Sequence, residues 1–150
     1  MKLVGLVGGA LSLLLGLEPG VYYQCKVTNL LVEGKNGKID RVKLSPKIEN
    51  ELGPWEQVKI GIFAKPIEGG VIQEFVVKVA NRTFEYAPVG RGGNLLFYAS
   101  RNGGVLVYDI SRPDEVGLKL FSDTLAIYKC SRKEEKKANS NYPSQKLGSR

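Results

Sequence analysis

The chain has no histidine and, among 150 residues, only two cysteines, one tryptophan and one methionine. Without histidine it lacks the commonest general base, the commonest metal ligand and the side chain that ordinarily changes charge near neutral pH. Two cysteines are too few for a cysteine-rich metal site. A helix needs about 20 apolar residues to cross a bilayer, and the apolar run from Leu3 to Leu17 is shorter than that. No G-x-S-x-G elbow occurs. Gly5 to Ser12 is glycine-rich but has neither the G-x-G-x-x-G spacing nor the lysine of a phosphate-binding loop. These absences argue against an enzyme, and no cofactor, metal or small-molecule substrate is expected.

What is present is the composition of an ordinary folded domain, 43% hydrophobic and 25% charged. The length suits one domain with a core of its own. Eighteen glycines and seven prolines fit many tight connections. From Val21 onward the apolar residues alternate with period two, the signature of half-buried strands. Val21, Tyr23, Cys25, Val27 and Leu31 share one face, and Lys38 to Leu44 forms a weak return strand. Val58, Ile60, Ile62 and Ala64 make a further strand, and Val71, Phe75, Val77 and Val79 another. Ser45-Pro46 suits the cap and first position of a short helix with Glu49 in its first turn. About eight strands are expected between Val21 and Cys130, mostly in sequence-adjacent antiparallel pairs.

The hairpin of Gly92 to Ser111 is the strongest local signal. Asn102-Gly103 suits a two-residue type I′ turn. That turn would set Ala99 opposite Leu106, Phe97 opposite Tyr108 and Leu95 opposite Ile110. The other Asn-Gly pair, Asn36-Gly37, would set Glu33 opposite Asp40 in the same geometry, so a longer loop is expected there. The run NLLFYASRNGGVLVYDISRP resembles a blade of certain β-propeller repeats. It covers some 20 residues without a second copy; one blade cannot close a propeller, so the resemblance implies a hairpin and no function.

The chain divides into an apolar leader, residues 1–19, a β domain, residues 20–130, and a basic flexible tail, residues 131–150. The leader reads as a signal-like segment or as N-terminal strands. The tail carries six basic and two acidic residues, a net +4 of the chain's +7; Arg132, Lys133, Lys136 and Lys137 are its candidate anion-binding residues. Cys25 and Cys130 lie on the first and last strands and are candidates for a disulfide, with Cα atoms about 4.4 to 6.8 Å apart if bonded. Asn81-Arg82-Thr83 is an N-glycosylation acceptor pattern. The expected fold is all-β, a single antiparallel β-sandwich of about eight strands. The expected function is non-enzymatic binding or assembly by a secreted or surface-displayed structural protein, with protein partners or self-association. The alternative is a small cytoplasmic β-barrel that binds nucleic acid through a basic face and its tail.

Overall fold

Each strand runs antiparallel to its neighbours, and the first pairs with the last. The computed structural model describes residues 17–121 and 123–131. Its strands are β1 (Tyr22–Glu33), β2 (Ile39–Lys43), β3 (Gln57–Ile67), β4 (Gly70–Val79), β5 (Arg82–Gly92), β6 (Leu95–Ala99), β7 (Val105–Asp109), β8 (Glu115–Phe121) and β9 (Thr124–Ser131). Strands β3 to β9 pair consecutively, and β1 joins β3 on one side and β9 on the other. The result is a closed barrel of eight strands. Strand β2 stands outside that ring, paired with the second half of β1 from Asn29 to Glu33 on the side where its first half pairs with β3.

This corrects the expected β-sandwich, and with it the picture of a small secreted sandwich. A sandwich needs two sheets with separate edges; here the β1–β9 ladder joins the two ends of one meander and removes them. The N-terminal leader up to residue 16 and the tail from residue 132 lie outside the described residues.

Alternation explains what fills the barrel. Inward positions supply Tyr23, Cys25 and Val27 from β1, Val58, Ile60 and Ile62 from β3, Phe75, Val77 and Val79 from β4, and Leu106 and Tyr108 from β7, all buried. Strands β8 and β9 add Val116, Leu118, Ala126 and Tyr128. Phe75 lies at the centre, edge-on to Tyr98 with ring centroids 4.7 Å apart and 5.6 Å from Tyr108. The long inward tyrosines reach what covers the barrel ends. The Tyr108 hydroxyl donates to the Pro113 carbonyl at 2.6 Å, the Tyr128 hydroxyl donates to the Trp55 carbonyl, and the Tyr23 hydroxyl accepts from the Glu18 amide at 2.8 Å. An apolar interior under lysine-bearing walls is the reverse of a membrane-spanning barrel.

Helix α1 (Pro46–Leu52) forms as its sequence implies. Ser45 Oγ accepts from the Ile48 amide at 3.3 Å, Pro46 opens the first turn and Glu49 lies within it. A 3-10 turn, Gly53–Glu56, follows, and Leu52, Ile48 and Trp55 pack against the core at that end.

Two expected registers are corrected. In β1 the residue Thr28 is an extra one: Val27 pairs with Tyr128, but Asn29 pairs with Ile127. This bulge reverses the alternation, so Leu30 is buried where Leu31 was expected. In the β6–β7 hairpin, Phe97 pairs with Val107, Leu96 with Tyr108 and Tyr98 with Leu106, one residue away from the type I′ register. The Gly103 amide donates to the Ser100 carbonyl at 3.1 Å and the Ser100 amide to the Gly104 carbonyl at 2.9 Å. Of the loop's non-glycine residues none has positive φ, while Gly103 sits at +86°. That is a three-residue loop closed by a glycine bulge, and it turns Tyr98, Leu106 and Tyr108 into the barrel. Asn36-Gly37 makes the same loop, with Gly37 at φ +79° and hydrogen bonds from Gly34 to Lys38 and from Gly37 to Gly34. The longer loop expected there is present.

Candidate functional site

The wall built from β9, β1, β3 and β4 gathers lysines that are far apart in sequence. On each strand the residues beside the inward apolar ones point outward, and the registers set them in rows. Lys129 of β9 is directly opposite Lys26 of β1, and Lys26 is opposite Gln57 of β3. In the next row Ser131, Gln24, Lys59 and Lys78 follow one another across four strands. All four lysines are exposed. Lys129 is 3.7 Å from an Asp114 carboxylate oxygen; among the described residues Lys26, Lys59 and Lys78 have no carboxylate within 4 Å. Two lysine–lysine pairs therefore face each other across adjacent strands, an arrangement that costs stability. Gln24, Gln57, Lys59, Lys78 and Ala80 line a groove of about 470 Å³ between the rows.

An aromatic pair borders the lysines. Tyr22 precedes Gln24 on the same outward face, and its ring lies 4.8 Å from that of Phe63. The Lys78 ammonium sits 4.5 Å over the Tyr22 ring, a cation–π contact. Gly61, opposite Tyr22, makes room for this: a Cβ there would lie 2.6 Å from Phe63 Cε2 and 2.7 Å from the Val21 carbonyl oxygen. Glycine is needed at this point because a neighbouring ring crosses its backbone.

Beneath this face lies the disulfide. Cys25 and Cys130 are directly opposed across one ladder and bonded, with Cα atoms 3.9 Å apart, below the expected range. Both point inward, so the bond ties β1 to β9 one residue from the Lys26–Lys129 pair. Asn81 is exposed in the two-residue turn between β4 and β5. Its neighbour Ala80, at φ +56°, lines the lysine groove, so a glycan on Asn81 would stand beside it. Of the tail candidates, Arg132, Lys133, Lys136 and Lys137 lie outside the described residues. Ser131, which immediately precedes them, sits opposite Gln24 at the margin of the lysine face.

Period-two alternation shows that Lys26, Lys59, Lys78 and Lys129 point outward on their own strands. Sequence reasoning missed that they are neighbours, because adjacency depends on register across three ladders. Among the described residues no group of three His, Cys, Asp or Glu side chains is placed to hold a metal ion, and no helix is long and apolar enough to cross a membrane.

The chain matches no protein-family model, no curated protein and no solved structure. The functional reading rests on the geometry of the barrel wall.

Proposed function

We propose that the protein is a non-enzymatic binding protein whose ligand is single-stranded nucleic acid, held along the outer wall of the barrel by Lys26, Lys59, Lys78 and Lys129. The observation that carries this reading is the pair of directly opposed lysine couples, Lys26–Lys129 and Lys59–Lys78. Like charges set opposite each other oppose folding, and a rule of sheet stability broken twice in one place marks a functional surface. A polyphosphate backbone relieves the repulsion and releases its own counterions as it does so.

The surroundings fit a strand with unpaired bases. Gln24 and Gln57 offer amides in the groove, where they can donate to phosphate or base oxygens. Lys78 lies over Tyr22, and the half-buried Phe63 ring beside it is the stacking partner next to the charges; stacking on an aromatic ring tolerates any base. The tail begins at the edge of this surface and extends its charge, because the residues after Ser131 include Arg132, Lys133, Lys136 and Lys137. The disulfide holds β1 and β9 together beside one of the two couples, Lys26–Lys129.

The test is fluorescence anisotropy with a labelled oligothymidine over a series of salt concentrations. The parent protein should bind at low salt. Lys59→Gln and Lys78→Gln should each weaken binding and lower the slope of log affinity against log salt by about 0.7. Deleting the residues after Ser131 should lower the slope further while leaving the melting temperature unchanged. Failure of the parent to bind at low salt, or unchanged affinity and slope in both lysine variants, overturns the proposal.

A further inference from the structure

The leader and the tail join the barrel at the same end. Strand β1 begins there and β9 finishes there, since Gln24 is opposite Ser131. The chain enters this end through Pro19 and Gly20: Pro19 bridges Ile62, and the Gly20 amide donates to the Ile62 carbonyl at 2.7 Å. The antiparallel meander brings the β3–β4, β5–β6 and β7–β8 connections to that end as well.

Two of these connections carry apolar side chains that nothing covers among the described residues. Of the six large apolar side chains exposed there, Ile67, Val71, Val89 and Leu95 stand at this end, 37% to 66% exposed; Ile39 and Phe121 stand at the other. The β3–β4 hairpin also outruns the ring. Strand β3 pairs with β1 from Gln57 to Gly61, and β4 pairs with β5 from Phe75 to Val79. From Phe63 to Glu74 the described pairing therefore leaves a ribbon of two strands. Such a ribbon has no core of its own, and an apolar cluster at its tip marks a surface for a partner or a membrane. The two chain ends decide between these. The leader's apolar run, Leu3 to Leu17, is shorter than a helical span, so it can enter a bilayer from one side without crossing it. The tail carries six basic and two acidic residues. The three connections have no positive excess, with Glu68 against Arg91 and Arg112 between Asp109 and Asp114, so the pull on anionic headgroups comes from the tail. An apolar insertion and a basic segment together give firm attachment where either alone is marginal.

We propose that this end of the barrel docks on an anionic lipid bilayer, with the leader and the side chains of Ile67, Val71, Val89 and Leu95 entering the apolar layer and the tail lying against the headgroups. The barrel stands on the membrane and does not span it. The lysine face runs along the side wall, so lipid and nucleic acid can be bound together. The tail serves both polyanions, whereas the four apolar side chains serve the membrane alone.

The test is flotation of the full chain with vesicles of equal parts phosphatidylglycerol and phosphatidylcholine. The parent should float with them, and should bind vesicles of phosphatidylcholine alone about tenfold more weakly or less. Ile67→Ser/Val71→Ser and Val89→Ser/Leu95→Ser should each cut the partition coefficient by about tenfold. All four positions are exposed, so melting temperature and oligothymidine affinity should stay at the parent's values. Leu14→Asp, within the leader, should also cut partitioning by about tenfold or more. Ile39→Ser/Phe121→Ser, at the opposite end, should float like the parent. A parent that stays in solution, or binds both kinds of vesicle equally, overturns the proposal. Undiminished flotation of both hairpin variants, or an equal loss in the opposite-end variant, does the same. A lipid-free dimer that the hairpin variants convert to monomer would assign the surface to a second copy of the chain and overturn it too.

Discussion

Replacing both cysteines with alanine tests the closure of the barrel most directly. The Cys25–Cys130 bond joins residues 105 apart in sequence, so it ties almost the whole domain into one loop. In the chain-entropy account a loop of that order is worth about 4.7 kcal/mol. The two sulfurs are also buried, Cys25 fully and Cys130 with 7% exposed, and their removal leaves small voids costing about 1 kcal/mol more. The native ladder itself survives, because β1 and β9 remain hydrogen-bonded from Gln24 to Val32. The loss therefore acts mainly through the unfolded chain, which gains freedom. The Cys25→Ala/Cys130→Ala variant should keep its far-ultraviolet circular dichroism and melt lower by about 20 °C, taking about 4 °C per kcal/mol for a domain of this size. Its denaturant slope m should rise, because a chain without the cross-link exposes more surface on unfolding. A melting point within about 5 °C of the parent, with m unchanged, would refute the reasoning: the bond would then be absent, or its closure would not limit the unfolded state.

Much of the fold was legible, including the fact that should have closed it. Strands in consecutive antiparallel pairs follow from the sequence, and a first strand lying beside the last follows once the candidate pair Cys25 and Cys130 is taken as bonded. Together they describe a barrel, because a meander whose two ends are neighbours has no free edge. Period-two alternation alone does not separate a barrel from a sandwich, since both present one apolar face per strand. The short helix was legible because Ser45, Pro46 and Glu49 act locally.

The register errors have a local cause. Asn-Gly supports both a two-residue I′ turn and a three-residue loop with the glycine in a bulge. At Asn36-Gly37 the charges of Glu33 and Asp40 argue for the longer loop. At Asn102-Gly103 the two registers both put apolar residues together, and Phe97 with Tyr108 looked as good as Tyr98 with Leu106. What decides is burial inside the closed barrel, where Tyr98 and Tyr108 pack on Phe75. The bulge at Thr28 left no mark in composition. The lysine face depends on the β9–β1, β1–β3 and β3–β4 registers, so only the outward direction of each lysine was visible.

Two further expectations follow, one on alkaline pH and one on the lysine face. Burial raises the pKa of Tyr86, Tyr98, Tyr108 and Tyr128 above the ordinary tyrosine value, with Asp114 and Asp109 adding to the shift of Tyr108. A raised folded pKa gives stability that is complete below the unfolded value of about 10 and is lost as pH climbs above it; absorbance at 295 nm should show these four ionising together with unfolding, and their independent titration in the folded protein would count against the core described above. The lysine face offers a sharper test, because stability and binding should move in opposite directions in Lys59→Glu. At about 6 Å in water two unit charges interact by about 0.7 kcal/mol, roughly halved by physiological salt. The substitution replaces repulsion from Lys78 by attraction, a gain of about 0.7 kcal/mol after screening, or about 3 °C in melting temperature. Lysine and glutamate are both poor strand formers, so propensity contributes little to the difference. The gain should fade in 1 M salt, where the Debye length is about 3 Å. Oligothymidine affinity should fall at the same time, by more than in Lys59→Gln, because the new charge repels the phosphates. A variant that binds less and melts higher means that the face is kept for its ligand at the expense of the fold. If Lys59→Glu melts lower than the parent at low salt, the opposed lysines carry no electrostatic cost and the main support for the nucleic-acid reading is gone.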